Sequence, residues 1–167
     1  MNHLIISCIG PDKTGLVDTL SKIISQHNGN WQVSSLHHLS GFFAGVIEVA
    51  VEGKNSEALI SALHNVSGLS CQIELAEPNL PDIDSNLLLE ITANDRAGIN
   101  QEVSSVIHHQ GGNLLKLVSK QENAPHTAQA MFNAKAYVWL NDDGVDTLIT
   151  ALEGIADDLM VDVTRNQ

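Results

Sequence analysis

Positive charge is scarce in this sequence: 8 Lys and Arg stand against 20 Asp and Glu, a formal net charge of −12. Binding to phosphate backbones takes most of its affinity from clustered cations, so direct nucleic-acid binding is not expected, and neither is docking on an anionic membrane. Aromatic residues are equally thin at 4%, which disfavours a sheet that stacks unpaired bases. No apolar run reaches the ~18 residues that span a bilayer, and Met1-Asn2-His3-Leu4-Ile5-Ile6 carries no cationic leader. The expectation is a soluble cytoplasmic protein. Only two cysteines occur, Cys8 and Cys71, too few for a disulfide framework; on neighbouring first and last strands of one sheet they leave a cross-strand disulfide as the alternative, and buried free thiols in a reducing compartment are the expected reading. Hydrophobic residues nevertheless make up 43% of the 167 residues, enough for a core.

The chain also contains itself. At an offset of 83, Asp12 falls on Asp95, Gly15 on Gly98, Ser21 on Ser104, Ile24 on Ile107, Gly29 on Gly112 and Asn30 on Asn113. Lys13 matches Arg96, and Leu4-Ile5-Ile6 matches Leu87-Leu88-Leu89. A gap-free match that includes the glycines indicates duplication. Between the copies, Glu77-Pro78-Asn79-Leu80-Pro81-Asp82-Ile83-Asp84-Ser85 suits an extended linker because of its prolines. Domains are therefore expected at 1–76 and 86–167, joined by a linker at 77–85.

Each copy spells the same elements. His3 to Ile9 reads as a strand punctuated by Gly10-Pro11. Leu16, Val17, Leu20, Ile23 and Ile24 form a one-sided helical stripe within 14–27, stopped at Asn28-Gly29-Asn30. Strands at Trp31–Leu39 and Phe42–Val51 meet at Ser40-Gly41, a tight hairpin. Asn55-Ser56 is placed to cap a second helix, and Cys71–Leu75 closes the unit. The second copy repeats the pattern with strands at 87–93, 114–120, 128–140 and 159–164; about six extra residues fall near Gln121–Thr127. The order is βαββαβ, twice. Right-handed crossovers then give an α+β fold: two ferredoxin-like units, each an antiparallel four-stranded sheet with both helices on one face. Units of ~80 residues bury little surface alone, so packing together or oligomerisation is expected.

Chemistry concentrates where the first strand of each copy hands over to a helix: Gly10-Pro11-Asp12-Lys13-Thr14-Gly15-Leu16 and Ala93-Asn94-Asp95-Arg96-Ala97-Gly98-Ile99. Unpaired N–H groups and the positive end of the helix dipole can receive a carboxylate there. The plainer reading makes Asp12 and Asp95 helix caps and the glycines packing residues. Metal chemistry finds no support. His37-His38 lie on a strand and point to opposite faces, while His108-His109 lack a chelating helical spacing, so all four read as solvated imidazoles. No nucleophile elbow or P-loop is present, and Phe42, Phe43 and Trp139 read as packing residues.

The sequence Asp-[Lys/Arg]-x-Gly-[Leu/Ile] after a strand, then an amphipathic helix, a Gly-rich stop and a hairpin, resembles the ACT domain. Two tandem copies without a catalytic domain resemble the glycine cleavage system transcriptional repressor family. The resemblance implies a ferredoxin-like, non-enzymatic regulator that needs no cofactor and binds a small amino acid, glycine being the candidate. It places the contacts at Asp12, Gly15 and Leu16 in the first copy and at Asn94, Asp95, Gly98 and Ile99 in the second. It also implies a homo-oligomer acting through a protein partner such as a DNA-binding regulator. Two features depart from the family pattern: Thr14 and Ala97 stand where proline is common, and Trp31 replaces a smaller aliphatic, an indole expected to enter the ligand space of the first copy. The alternatives are a ligand-free interaction and dimerisation module, and, third, a small hydrolase on the same fold using Lys13 or Arg96 as a phosphate cradle.

Overall fold

The computed structural model describes residues 1–76 and 83–165, which form two compact units. Residues 77–82 of the expected linker lie outside the described residues. The first unit runs β1 (Asn2–Pro11), α1 (Leu16–Gln26), β2 (Asn30–Leu39), β3 (Phe42–Val51), α2 (Gly53–His64) and β4 (Ser70–Leu75). The second runs β5 (Leu87–Asn94), α3 (Ile99–His109), β6 (Asn113–Asn123), β7 (Ala130–Trp139), a 3-10 turn at Asp142–Gly144, α4 (Val145–Glu153) and β8 (Met160–Arg165). The sheets are ordered β2-β3-β1-β4 and β6-β7-β5-β8, antiparallel throughout. This is the expected βαββαβ order, repeated.

The central strand of each sheet sets the layering. Leu4, Ile6 and Cys8 alternate inward on β1 and pack with Leu16, Leu20 and Ile24 of α1 and Leu59 and Leu63 of α2. Leu87, Leu89, Ile91 and Ala93 of β5 do the same against Ile99, Val103 and Ile107 of α3 and Leu148 and Leu152 of α4. Period-two alternation meeting a helical stripe thus puts both helices of a unit on one sheet face. Among the described residues, no helix of the same unit covers the opposite face. In the first unit it carries exposed Ile9, Val33, Leu39, Phe42 and Val46. In the second it is more charged: Lys135 pairs with Glu90 at 2.9 Å, Lys120 pairs with Glu122, and the Lys116 ammonium lies 5.2 Å from the Tyr137 ring centre.

Three local details differ from the sequence expectation. The β1 strand continues through Gly10-Pro11, which pair with Phe43 and Phe42. Gly10 is required there, since an added Cβ would lie 2.1 Å from the Gly68 carbonyl oxygen. The α2 helix starts at Gly53, so Asn55 and Ser56 sit inside it. Ser56 is buried; its Oγ accepts from Asn2 Nδ2 at 3.0 Å and donates to the Glu52 carbonyl. On β6 the strand extends to Asn123, so the extra residues of the second copy form the 124–129 loop. The hairpin at Ser40-Gly41 has both residues at positive φ, 51° and 83°, as a two-residue type I′ turn demands.

Gly10→Ala should therefore lower the stability of the chain by about 1–3 kcal/mol through overpacking against the Gly68 backbone. Urea unfolding followed by circular dichroism measures the loss.

Candidate functional site

The two Asp-x-x-Gly loops have nearly the same backbone. Gly15 is the N-cap of α1 at φ 87°, and Gly98 is the N-cap of α3 at φ 89°, both left-handed. No side chain caps either helix, so Asp12 and Asp95 are not N-caps. Nor are the glycines packing residues: a Cβ built on either would meet nothing within 4 Å. What demands glycine is the left-handed turn. The Leu16 and Ile99 N–H groups donate back to the Lys13 and Arg96 carbonyls at 3.4 Å, and the next two N–H groups of each helix lack partners within it.

Each aspartate is instead tied to the neighbouring hairpin. Its backbone N–H donates to the Gly41 carbonyl at 2.9 Å in the first unit and to the Ala130 carbonyl at 2.9 Å in the second. Asp12 Oδ2 lies 2.8 Å from His38 Nδ1, and Asp95 Oδ2 accepts from Gln121 Nε2 at 2.8 Å. His38 and Gln121 are the same position of the repeat, so both copies hold the motif carboxylate from the end of the same strand. Sequence reasoning passed over both residues, although the 83-residue offset pairs them; His38 is a partner of Asp12 and not merely a solvated imidazole.

The flanking groups differ between copies. In the second unit, Asn94 N–H donates to Asp158 Oδ2 at 2.6 Å and the Asn94 side-chain oxygen accepts from Gln129 Nε2 at 2.7 Å. Arg96 grips Glu102 of α3 through both terminal nitrogens, which raises the guanidinium pKa and lowers that of the Glu102 carboxyl. Arg96 is thereby committed to its own helix. In the first unit, Lys13 lies instead against Gly68, where an added Cβ would sit 3.0 Å from Nζ. Leu16 and Ile99 are buried, and their side chains serve the cores of the two units. The structure therefore gathers Asp12, Gly15 and Leu16 in one loop and Asn94, Asp95, Gly98 and Ile99 in the corresponding loop of the other unit. Trp31 is half-buried against the core of the first unit, followed by a β-bulge that recurs after Leu114 in the second. Among the described residues no group of three or more His, Cys, Asp or Glu could hold a metal ion, and no helix is long and apolar enough to cross a membrane.

A duplicated ferredoxin-like unit whose strand-to-helix loop opens on a left-handed glycine defines the class: a tandem α+β module. Residues 2–74, within the first unit, match the model of the ACT domain, and the second unit repeats the strand order of the first. The chain is similar to an unknown protein from Galdieria sulphuraria, with 22% identity, 99% of each chain covered and a TM-score of 0.84. It is also similar to a proposed glycine cleavage system transcriptional repressor, with 16% identity, 99% of this chain and 98% of that chain covered, and a TM-score of 0.73. Both likenesses are of fold. No curated protein matches the sequence.

Gly15→Ala and Gly98→Ala should each destabilise the chain by about 1 kcal/mol through the left-handed φ alone, read as a lowered urea midpoint. His38→Ala and Gln121→Ala should each speed amide exchange in the adjoining Asp-x-x-Gly loop while leaving core amides protected, as hydrogen-exchange mass spectrometry can record.

Proposed function

We propose that this chain is a non-enzymatic regulatory protein of the cytoplasm whose two ACT units, at 1–76 and 86–167 with a connecting linker at 77–85, sense a small amino acid. Glycine is the first candidate. The single observation that supports this reading most is the twofold occurrence of one loop geometry: a left-handed glycine N-cap open to solvent beside an aspartate fixed by the next strand. The helix N–H groups suit a ligand carboxylate, and Asp12 or Asp95 suits an ammonium, so an α-amino acid matches both charges at once. Binding that favours one arrangement of domains or subunits by differential affinity would alter contact with a protein partner. A DNA-binding regulator is the partner class proposed, since a chain at −12 is poorly suited to bind an operator itself and well suited to meet a basic protein surface. Homo-oligomerisation belongs to the same reading.

A second reading rests on a different observation. The uncovered sheet face of the first unit carries Ile9, Val33, Leu39, Phe42 and Val46 exposed, which favours a ligand-free interaction module. Calorimetric titration of the full chain with glycine, serine and other small amino acids separates the two. The sensor reading predicts saturable binding that Asp12→Ala together with Asp95→Ala abolishes. Heat of dilution alone, with no thermal shift, contradicts it and leaves the interaction module.

A further inference from the structure

Cys8 and Cys71 are direct cross-strand partners between β1 and β4, and the hydrogen-bond pattern defines which kind of pair they form. Ala76 N–H donates to the His3 carbonyl at 2.8 Å, so His3 and Ala76 face each other across a hydrogen-bonded position. Asp12 N–H bonds to Gly41 on the other side of the same strand, so even-numbered residues of β1 direct their backbone groups to β3. Alternation along the β1–β4 register then puts Cys8 and Cys71 at a non-hydrogen-bonded pair. There the Cα atoms approach to about 4.5 Å and the side chains come closest. That separation lies within the range of about 4.4–6.8 Å that a disulfide spans.

Both cysteines are free. The Cys8 thiol is buried, 3.7 Å from the Gly45 carbonyl oxygen to which it donates. Cys71 is half-buried and lines a cleft of about 540 Å³ with Gly10, His64 and Gly68, so small solutes reach it from solvent. In the other copy of the repeat the same two places hold Ile91 and Val161, again direct partners. Packing at this point of the sheet is thus satisfied without sulfur, and the thiols need another account.

We infer that Cys8 and Cys71 are a redox pair that closes to an intramolecular disulfide when a peroxide enters the cleft, tying β4 to β1 next to the Asp12 loop. The Cys71 thiolate attacks one peroxide oxygen; the O–O bond breaks, a sulfenic acid forms, and hydroxide leaves and takes up the proton that Cys71 lost. Cys8 turns from Gly45 and attacks the Cys71 sulfur; the S–S bond forms and the sulfenic hydroxyl departs as water with the proton from Cys8. Two thiols are oxidised and one hydrogen peroxide is reduced to two waters. Burial pushes both thiols above their usual range, so the thiolate fraction is small and the step is slower than at an exposed cysteine.

The test is peroxide treatment of the folded full-length chain, followed by denaturing alkylation and non-reducing tryptic mapping. The expected result is the peptide holding Cys8 linked to the peptide holding Cys71 in monomeric chains, with an intact mass lower by two hydrogens on the cysteine-bearing peptides and full reversal by dithiothreitol. Cys71→Ser, at the half-buried position, should keep the far-ultraviolet circular dichroism of the parent, lose the linkage and leave Cys8 unmodified. Three results overturn the inference: sulfinic or sulfonic acid at Cys71 without the linkage, disulfides only between chains, or both thiols still reduced in the folded chain after a treatment that oxidises the urea-unfolded chain.

Discussion

The inward alternation on the central strand of each unit, Leu4-Ile6-Cys8 on β1 and Leu87-Leu89-Ile91-Ala93 on β5, is the constraint from which the remaining architecture follows. These strands have neighbours on both edges, so their register fixes which residues of all four strands face the helices. Once Ile6 points inward, its partners Ile47 and Ile73 do too, and Leu20 and Leu63 have a surface to cover. The same register delivers the C-terminal end of the strand to the edge of the helical layer, where the chain must reverse into a helix. The Asp-x-x-Gly loop sits at that reversal because of the core, and its position recurs because the core recurs.

At the reversal, the two copies agree in backbone and diverge in side chains. Gly15 and Gly98 share a left-handed φ to within 2°, and Asp12 and Asp95 both hand their N–H to the following hairpin. Around that shared frame His38 stands where the other copy has Gln121, Lys13 where it has Arg96, and Gly68 where it has Asp158. Asp158 takes the Asn94 N–H, whereas Gly68 packs closely against Gly10 and the Lys13 ammonium. The outcome is two loops able to present the same main-chain donors with different surroundings, which is a physical basis for unequal affinities within one chain.

Most of the fold was legible because it is written in local periodicity. The helical stripes, the Ser40-Gly41 turn and the repeated glycines are short-range signals, and the duplication let each copy check the other. What escaped was set by contacts distant in sequence. Asn55-Ser56 looked like a cap, but Ser56 is buried under the N-terminal strand, where Asn2 donates to it across 54 residues. Asp12 looked like a cap for the same local reason, yet its oxygen finds His38 across 26 residues, and the cap falls to Gly15. A one-residue glycine conformation decided that, which hydrophobic patterning does not encode. Gly10 read as punctuation, whereas it permits the close approach of the Gly68 loop.

The central claim is that the glycine-capped loops, and not the uncovered sheet face, receive an α-amino acid. Amide chemical shifts of the isotopically labelled full chain, followed by heteronuclear NMR during titration with glycine, address it most directly. The account predicts saturable shifts confined to residues 12–19 and 94–102, with the Val17, Asp18, Asn100 and Gln101 amides among those that move most. Saturable shifts confined instead to Val33, Phe42 and Val46 on the open face, or an unchanged spectrum with glycine, serine and related amino acids alike, would contradict it.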